Sequence, residues 1–206
     1  MKFKIGITMR ITESSDYYEL RNCIAIDWID FLNLHFSEYD WILLPNSNFN
    51  IIDYSKSLGI NCFFLIGGED IGSHEIRDST ELKICKYAHE NNLPVLGICR
   101  GFQIFTHYFG GEIVKGDIKF SKEHVATRHK IRLKNKIEEV NSYHSNTIKN
   151  LPKNFNIIAK DINDDSIEAA SYENFLGLMW HPERENNIPE WQILLIKNFM
   201  KKYERN

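Results

Sequence analysis

Apolar and polar positions follow two different periods along the first half of the chain. Short apolar runs, mostly β-branched or aromatic, predict buried strands at residues 3–8, 41–44, 62–66 and 94–98. Helical spacing instead marks residues 17–36 and residues 79–90. Strands that alternate with helices in this way predict a parallel sheet that is covered on both faces.

The pattern changes after residue 110. Residues 124–133 alternate, with His129 on the apolar face and His124 among the charged side chains of the other, which predicts a half-exposed antiparallel strand. More short strands are predicted at residues 155–159, 167–171 and 175–180, and an amphipathic helix from about Glu190. The sequence therefore predicts an α/β fold: a mostly parallel central sheet flanked by helices, with a small antiparallel portion in the second half. No repeat or linker divides it, so we expect a single domain over residues 1–206.

Charge and cysteine usage narrow the class of protein. The formal net charge of −3 argues against general nucleic-acid binding, and neither a signal peptide nor a membrane-spanning segment is expected. The four cysteines lie scattered without a C-x-x-C pair, which favours reduced thiols in the cytoplasm over disulfides or a zinc site. We therefore expect no metal site of the cysteine type.

The stretch PVLGICRGFQIF, residues 94–105, carries the first candidate chemistry. Cys99 stands between Gly97 and Gly101 where a buried strand ends and a helix begins. A sharp strand-to-helix turn of this kind, the nucleophile elbow, needs neighbours without side chains. Cys99 is the predicted nucleophile.

A cysteine nucleophile needs a base, and the stretch GLMWHPERE offers one. His181 follows a predicted strand, and Glu183 follows it by two residues, so in extended backbone both side chains project to the same side. The carboxylate is then placed to hold the imidazole in one tautomer. Cys99, His181 and Glu183 together have the pattern of covalent catalysis.

Acyl transfer also needs hydrogen-bond donors for an oxyanion. The run FFLIGGED ends a buried strand in two glycines, Gly67 and Gly68, whose backbone N–H groups can turn toward a ligand. A simple tight turn is the alternative reading. The elbow itself supplies the second donor, the amide of Arg100.

Several of these motifs, taken in order along the chain, resemble those of a known family. GICRGFQ, IGGED and WHPE, in this order, resemble the class I glutamine amidotransferase domain, and RDSTE and VNSYHSNTIKNLP resemble its stand-alone γ-glutamyl hydrolase branch. The resemblance implies flavodoxin-like layering, a Cys-His-Glu triad without cofactor, and oxyanion amides at Gly68 and Arg100. It also implies that the glutamyl head of a small-molecule amide is held by Gln103, Ser142, Tyr143, His144, Ser145 and Asn146. Ser145 and Asn146 depart from the histidine and glutamine common in that branch, which affects the leaving-group pocket.

The first 32 residues add a narrower resemblance. The stretch GITMRITESSDYYELRNCIAIDWIDFL is similar to amidotransferase-like proteins of bacterial surface-polysaccharide loci, which implies a leaving group that carries a nucleotide diphosphate. Arg10 follows the first strand and is the predicted phosphate contact, because guanidinium offers a planar fork of donors. The basic run over residues 115–136 is more simply a solvated face.

Other functions stay open at this level. One is a glutaminase subunit that passes ammonia to a separate synthase, and another is hydrolysis of γ-glutamyl-γ-aminobutyrate. A binding module with an inert or redox thiol is the non-enzymatic alternative. Homo-oligomerisation and a synthase partner are equally open, whereas no nucleic-acid or membrane partner is expected.

Overall fold

The centre of the computed structural model, which describes residues 2–204, is one nine-stranded sheet. With strands numbered in chain order, its parallel part contains, side by side, β4 (Asp40–Leu44), β1 (Lys4–Thr8), β5 (Cys62–Leu65), β6 (Val95–Ile98) and β13 (Phe175–Leu178). Antiparallel strands continue the same sheet as β12 (Ile167–Tyr172), β11 (Asn156–Asp161), β8 (Val125–Leu133) and β9 (Lys136–Tyr143). The predicted α/β class, with a parallel sheet and an antiparallel portion in the second half, is confirmed.

Helices cover both faces of this sheet. They are α1 (Ile26–His35), α2 (Ile51–Ser57), α3 (Glu75–Glu90), α4 (Arg100–Tyr108), α5 (Ile118–His124) and α6 (Glu190–Lys201), with a 3-10 turn at Pro182–Arg184. Successive strand residues pack into different clusters: Phe64 lies with Trp28 and Trp180, whereas Phe63 lies with Phe102. Alternate side chains of a strand point to opposite faces, so the two clusters are the two layers of the core. No helix within residues 2–204 combines the length and apolar character needed to cross a bilayer.

The predicted helix over residues 17–36 is wrong in its first half. Strands β2 (Arg10–Glu13) and β3 (Leu20–Cys23) form an antiparallel hairpin, and α1 begins only at Ile26. Tertiary hydrogen bonds hold the hairpin. The Ile11 amide donates to the Glu69 carboxylate, and Oδ1 of Asn22 accepts from the backbone amide and the side chain of Asn46. These contacts override the local helical spacing.

The predicted alternation of residues 124–133 is confirmed for β8, where His129 and Ile131 are buried while Arg128, Lys130 and Arg132 are exposed. His124 does not join the exposed face. It ends α5, a helix the sequence did not predict, and is only 1% exposed. A second unpredicted feature is the small sheet of β7 (Glu112–Lys115) and β10 (Asn146–Asn150).

Candidate active site

The predicted elbow is present between β6 and α4. Cys99 joins the two elements with φ 51° and ψ −105°, a conformation that is strained for a residue with a side chain. Both flanking glycines are sterically required: a Cβ on Gly101 would lie 1.9 Å from the carbonyl oxygen of Leu65, and one on Gly97 would lie 2.6 Å from the Gly101 carbonyl oxygen. The close packing of α4 on β5 and β6 therefore forces the turn that places Cys99 at the strand end.

His181 and Glu183 make the predicted contact. Nδ1 of His181 lies 2.6 Å from Oε1 of Glu183, and both side chains are buried. The backbone between them is a 3-10 turn that begins at Pro182, not the extended chain that the sequence suggested. Asn141 fixes the histidine backbone on the other side: its Oδ1 accepts from the His181 amide at 2.8 Å, and its Nδ2 donates to the His181 carbonyl at 2.7 Å.

Cys99 and His181 are coupled electrostatically. Burial alone would raise the pKa of the Cys99 thiol, but the neighbouring His181 imidazolium outweighs burial and lowers that pKa. Burial opposes charge on His181 as well, yet Glu183 and the thiolate raise its pKa to about 9. The arrangement therefore favours a thiolate–imidazolium pair, the reactive form of a cysteine nucleophile.

The loop after β5 passes directly beside this pair. A Cβ on Gly67 would lie 2.6 Å from Cε1 of His181, so the missing side chain makes room for the imidazole. Gly68 has φ +154°, and a Cβ there would lie 2.2 Å from Nη1 of Arg77. The loop is therefore shaped by close approach to the histidine as well as by its turn, and the Gly68 amide remains the candidate oxyanion donor.

A buried ion-pair network, which the sequence did not predict, holds the loop and the elbow together. Arg77 donates to the carbonyls of Ile66 and Gly67 at 2.8 and 3.2 Å, and to Glu81 at 3.2 Å. The guanidinium of Arg100, on α4, pairs with Glu81 and Asp78, which both lie on α3. The side chain of Arg100 is thus turned into the network, and its backbone amide is the group that lies at Cys99.

We expect Glu81→Gln to destabilise the protein strongly, because two buried guanidinium groups lose their shared carboxylate. Breaking one side of a buried ion pair costs about 3–5 kcal/mol. Urea denaturation should report this loss in the free energy of unfolding. Glu90→Gln, on the same helix with an exposed side chain, is the matched control and should change stability by less than about 0.5 kcal/mol. Equal effects of the two changes would contradict a role for the network.

The residues expected to grip the glutamyl head are placed unequally. Gln103 and Asn146 line a cavity of about 290 Å³ together with Asp70, which accepts from Asn146 Nδ2 at 2.7 Å. Tyr143 stands edge-on to the His181 ring, 5.5 Å between centroids. Tyr143 therefore adjoins the candidate base, whereas Gln103 and Asn146 share a cavity with Asp70.

The other members of that segment make hydrogen bonds within the protein. The Ser142 hydroxyl is fully buried and donates to the carbonyl of His124 at 2.6 Å. His144 is buried with Nδ1 3.0 Å from the Asn146 carbonyl oxygen, and the carbonyl of Ser145 accepts from the Gly116 amide. Ser142 therefore shapes the segment from behind, and its hydroxyl is not free to bind a substrate.

Arg10 lies where the sequence predicted, at the carboxyl end of β1. Its Cβ would be 3.0 Å from a Cβ on Gly68, so it sits against the candidate oxyanion loop. Its buried Nε has no hydrogen-bond partner among residues 2–204. A buried donor without a partner is costly and suits a site that is completed by an acceptor from outside.

Comparison with known proteins agrees with this arrangement. Residues 68–183 match the peptidase C26 family, a span that contains the elbow and the His181–Glu183 pair. The chain belongs to the peptidase C26 family. Like its relatives it is a hydrolase of class I glutamine amidotransferase type.

Individual relatives extend over different lengths. The chain is 34% identical to the gamma-glutamyl-CDP-amidate hydrolase of Campylobacter jejuni, in an alignment that covers 92% of this chain and 94% of that protein. It is 29% identical over 79% of its length to the glutamine-hydrolysing GMP synthase of Ehrlichia ruminantium, of which it spans 31%. A glutamine amidotransferase structure from Thermotoga maritima superposes with a TM-score of 0.63 at 14% identity, covering all of this chain and 87% of that one, and supports the fold.

Two further positioning groups became visible only in three dimensions. Asn141, which grips the His181 backbone, lies in the stretch that carried the family resemblance, but nothing in its spacing indicated that contact. Arg77 and Glu81 stand four residues apart, as exposed helix pairs do, so their burial could not be foreseen from sequence.

Proposed function

We propose that this protein hydrolyses a γ-glutamyl amide and releases glutamate, with γ-glutamyl-CDP-amidate as its substrate. The 34% identity over 92% of the chain to a hydrolase of that name carries this proposal. It is supported by the elbow at Cys99, whose thiol has a pKa that the buried His181 lowers. Hydrolysis of that substrate would give glutamate and cytidine diphosphoramidate, in the modification of a surface polysaccharide.

In the proposed mechanism the Cys99 thiolate attacks the γ-carbonyl carbon, and the amides of Gly68 and Arg100 donate to the oxyanion. The His181 imidazolium then gives its proton to the departing nitrogen, the C–N bond breaks, and a γ-glutamyl thioester remains. Neutral His181 next takes a proton from water, whose oxygen attacks the thioester. Glutamate and the thiolate are released, with Glu183 holding the imidazole throughout.

We propose that Arg10 binds the diphosphate of the leaving group. Arg10 adjoins the loop that would hold the oxyanion, so a group attached to the scissile nitrogen lies within reach of its fork of donors. The unpaired Nε supports this role. The basic face of β8 is a weaker candidate, because Arg128 already pairs with Glu185 at 2.9 Å.

Arg10→Ala should lower kcat/KM for the γ-glutamyl nucleotide amidate about ten- to a hundred-fold, since a hydrogen bond to a charged group contributes about 1.5–3 kcal/mol. Hydrolysis of glutamine, which has no phosphate, should barely change. Arg132→Ala, an exposed arginine on β8, is the control and should leave both rates intact. Equal losses of Arg10→Ala on both substrates would show that Arg10 supports the fold of the site instead.

The second candidate function is a glutaminase that delivers ammonia to a synthase, which the similarity to GMP synthases favours. Steady-state rates of glutamate release from glutamine, γ-glutamyl-γ-aminobutyrate and γ-glutamyl-CDP-amidate separate the candidates. The proposal expects the nucleotide amidate to have the highest kcat/KM. Preference for glutamine, rising when a synthase is added, would overturn it.

Both nucleotide substrates and reduced thiols are cytoplasmic, so we propose that compartment as the site of action.

A further inference from the structure

A second group of buried polar side chains lies on the antiparallel part of the sheet, apart from the Cys99–His181–Glu183 arrangement. His124 ends α5, His129 lies on β8 and Glu168 lies on β12, and each is at most 8% exposed. One ligand atom from each lies within 4.8 Å of the other two. We propose that His124, His129 and Glu168 bind a zinc ion.

Hydrogen bonding fixes which nitrogen of His124 faces the carboxylate. Nε2 of His124 lies 2.9 Å from Oδ2 of Asp164, which accepts its hydrogen. In the neutral ring Nδ1 therefore carries a lone pair, and this atom lies 3.9 Å from Oε1 of Glu168. A lone pair facing a carboxylate is repulsive unless a cation lies between them.

His129 also lies between two carboxylates, although neither of its ring nitrogens makes a hydrogen bond among residues 2–204. Its Nδ1 lies 3.3 Å from Oδ2 of Asp161 on the outer side, and its Nε2 lies 3.4 Å from Oε2 of Glu168 on the inner side. Ligating histidines almost always present one nitrogen to the metal and give the other N–H to a carboxylate or carbonyl. Asp164 and Asp161 are placed as those outer partners.

The cluster leaves several buried atoms without hydrogen-bond partners among residues 2–204. They include Nδ1 of His124, both ring nitrogens of His129 and Oε2 of Glu168. Unsatisfied buried polar atoms are rare and costly. A cation at the centre would satisfy the inward-facing atoms at once.

The separations suit a tetrahedral ion. Nitrogen and oxygen ligands at about 2.0–2.2 Å from zinc lie about 3.3–3.6 Å from each other. The 3.4 Å separation of His129 Nε2 from Oε2 of Glu168 meets this range. Nδ1 of His124 lies 3.9 Å from the other oxygen, Oε1, so Glu168 would hold the ion through both oxygens after a small inward shift. Nε2 of His144, 3.7 Å from Oε1 of Glu168, is a fourth donor beside the site. Two imidazoles and one carboxylate favour zinc over calcium or magnesium, which prefer oxygen ligands.

An entry path and a structural consequence accompany the cluster. A cavity of about 510 Å³ reaches it from the surface and is lined in part by His124, His129 and Asp161. The carbonyl of His124 accepts from the Ser142 hydroxyl at 2.6 Å and from the His144 amide at 3.1 Å. Zinc would thus fix the segment that, under the proposed function, borders the glutamyl site, but binding of the ion does not depend on that function.

Zinc content of the purified full chain tests the proposal. After zinc loading and exhaustive dialysis against metal-free buffer, elemental analysis should find about one zinc ion per chain. Chelation should then lower the midpoint of thermal unfolding, and added zinc should restore it. Cobalt(II) in place of zinc should give the intense visible absorption of a tetrahedral site. A wild-type protein that retains no zinc and shows no such absorption would overturn the proposal, and the cluster would then be an ion-free polar network.

Variants separate this site from adventitious binding. His129→Gln removes a ligand and should abolish retained zinc, whereas Asp164→Asn removes only the charged partner of His124 and should weaken zinc binding about 10- to 100-fold. The milder change affects a partly exposed side chain, so it remains informative if His129→Gln does not fold. Asp165→Asn, an exposed neighbour, is the matched control and should bind as the wild type does. Equal zinc affinity of the Asp164 and Asp165 variants would place the ion elsewhere.

Discussion

Cys99→Ala is expected to abolish glutamate release from every γ-glutamyl substrate. The change removes the sulfur that attacks the amide carbonyl carbon in the first step of the proposed mechanism, so the thioester cannot form. Loss of one member of a nucleophilic triad lowers kcat on the order of 10⁴- to 10⁶-fold. A coupled assay for glutamate with the purified variant, run at high enzyme concentration, measures the residual rate.

The interpretation of that loss depends on an intact fold. Truncation of Cys99 to alanine removes a single sulfur atom, and the strained turn at φ 51° is set by the flanking glycines rather than by the sulfur. Thermal unfolding should therefore change little. A well-folded Cys99→Ala protein that still hydrolyses its substrate would falsify the covalent mechanism.

Cys62→Ala provides the matched control. Cys62 is also a buried cysteine at a strand of the parallel sheet, but burial raises the pKa of its thiol, with only a backbone hydrogen bond opposing this. Its thiol is therefore unreactive. The control variant should lose some stability through the missing core volume and keep its kcat/KM. Alkylation by iodoacetamide should likewise inactivate the wild type and the Cys62 variant at similar rates.

The sequence predicted the parts of the fold and site that local constraints determine. Gly97 and Gly101, on either side of Cys99, indicated the elbow because this tight turn requires residues without side chains at both positions. The parallel strands could also be predicted, because strands that are buried on both faces, such as β5 and β6, are continuous apolar runs in the sequence.

Parts that depend on distant partners were not predictable. Leu20 and Ile24 have helical spacing, yet Leu20 is 43% exposed in a hairpin that Asn46 and Glu69 hold from elsewhere in the chain. His129 was placed on the correct face of its strand, but its relation to Glu168, 39 positions later, arises only from the order of strands in the sheet. Local pattern gives no signal for such contacts.

Glu183→Gln is expected to cause the second-largest loss of activity, on the order of 10³- to 10⁴-fold in kcat, the scale seen when the orienting carboxylate of a triad loses its charge. The carboxylate accepts from Nδ1 of His181 at 2.6 Å and thereby leaves Nε2 for the sulfur. A glutamine amide can instead donate to Nδ1 and favour the wrong tautomer. Because triad members act together, adding Glu183→Gln to Cys99→Ala should cost almost nothing further.

The pH dependence of kcat/KM distinguishes this orienting role from a general loss of structure. The wild-type profile should be bell-shaped, with its alkaline limb at about 9, where His181 loses its proton, and its acid limb at the lowered pKa of Cys99. Glu183 raises the pKa of His181, so Glu183→Gln should move the alkaline limb to lower pH. A less charged imidazole also stabilises the thiolate less, so the acid limb should move to higher pH and the active window should narrow from both sides. Glu139→Gln, which changes an exposed carboxylate on β9, is the control and should leave both limbs in place. An unchanged profile in a slow Glu183→Gln enzyme would mean that Glu183 supports the local fold without setting the charge of His181.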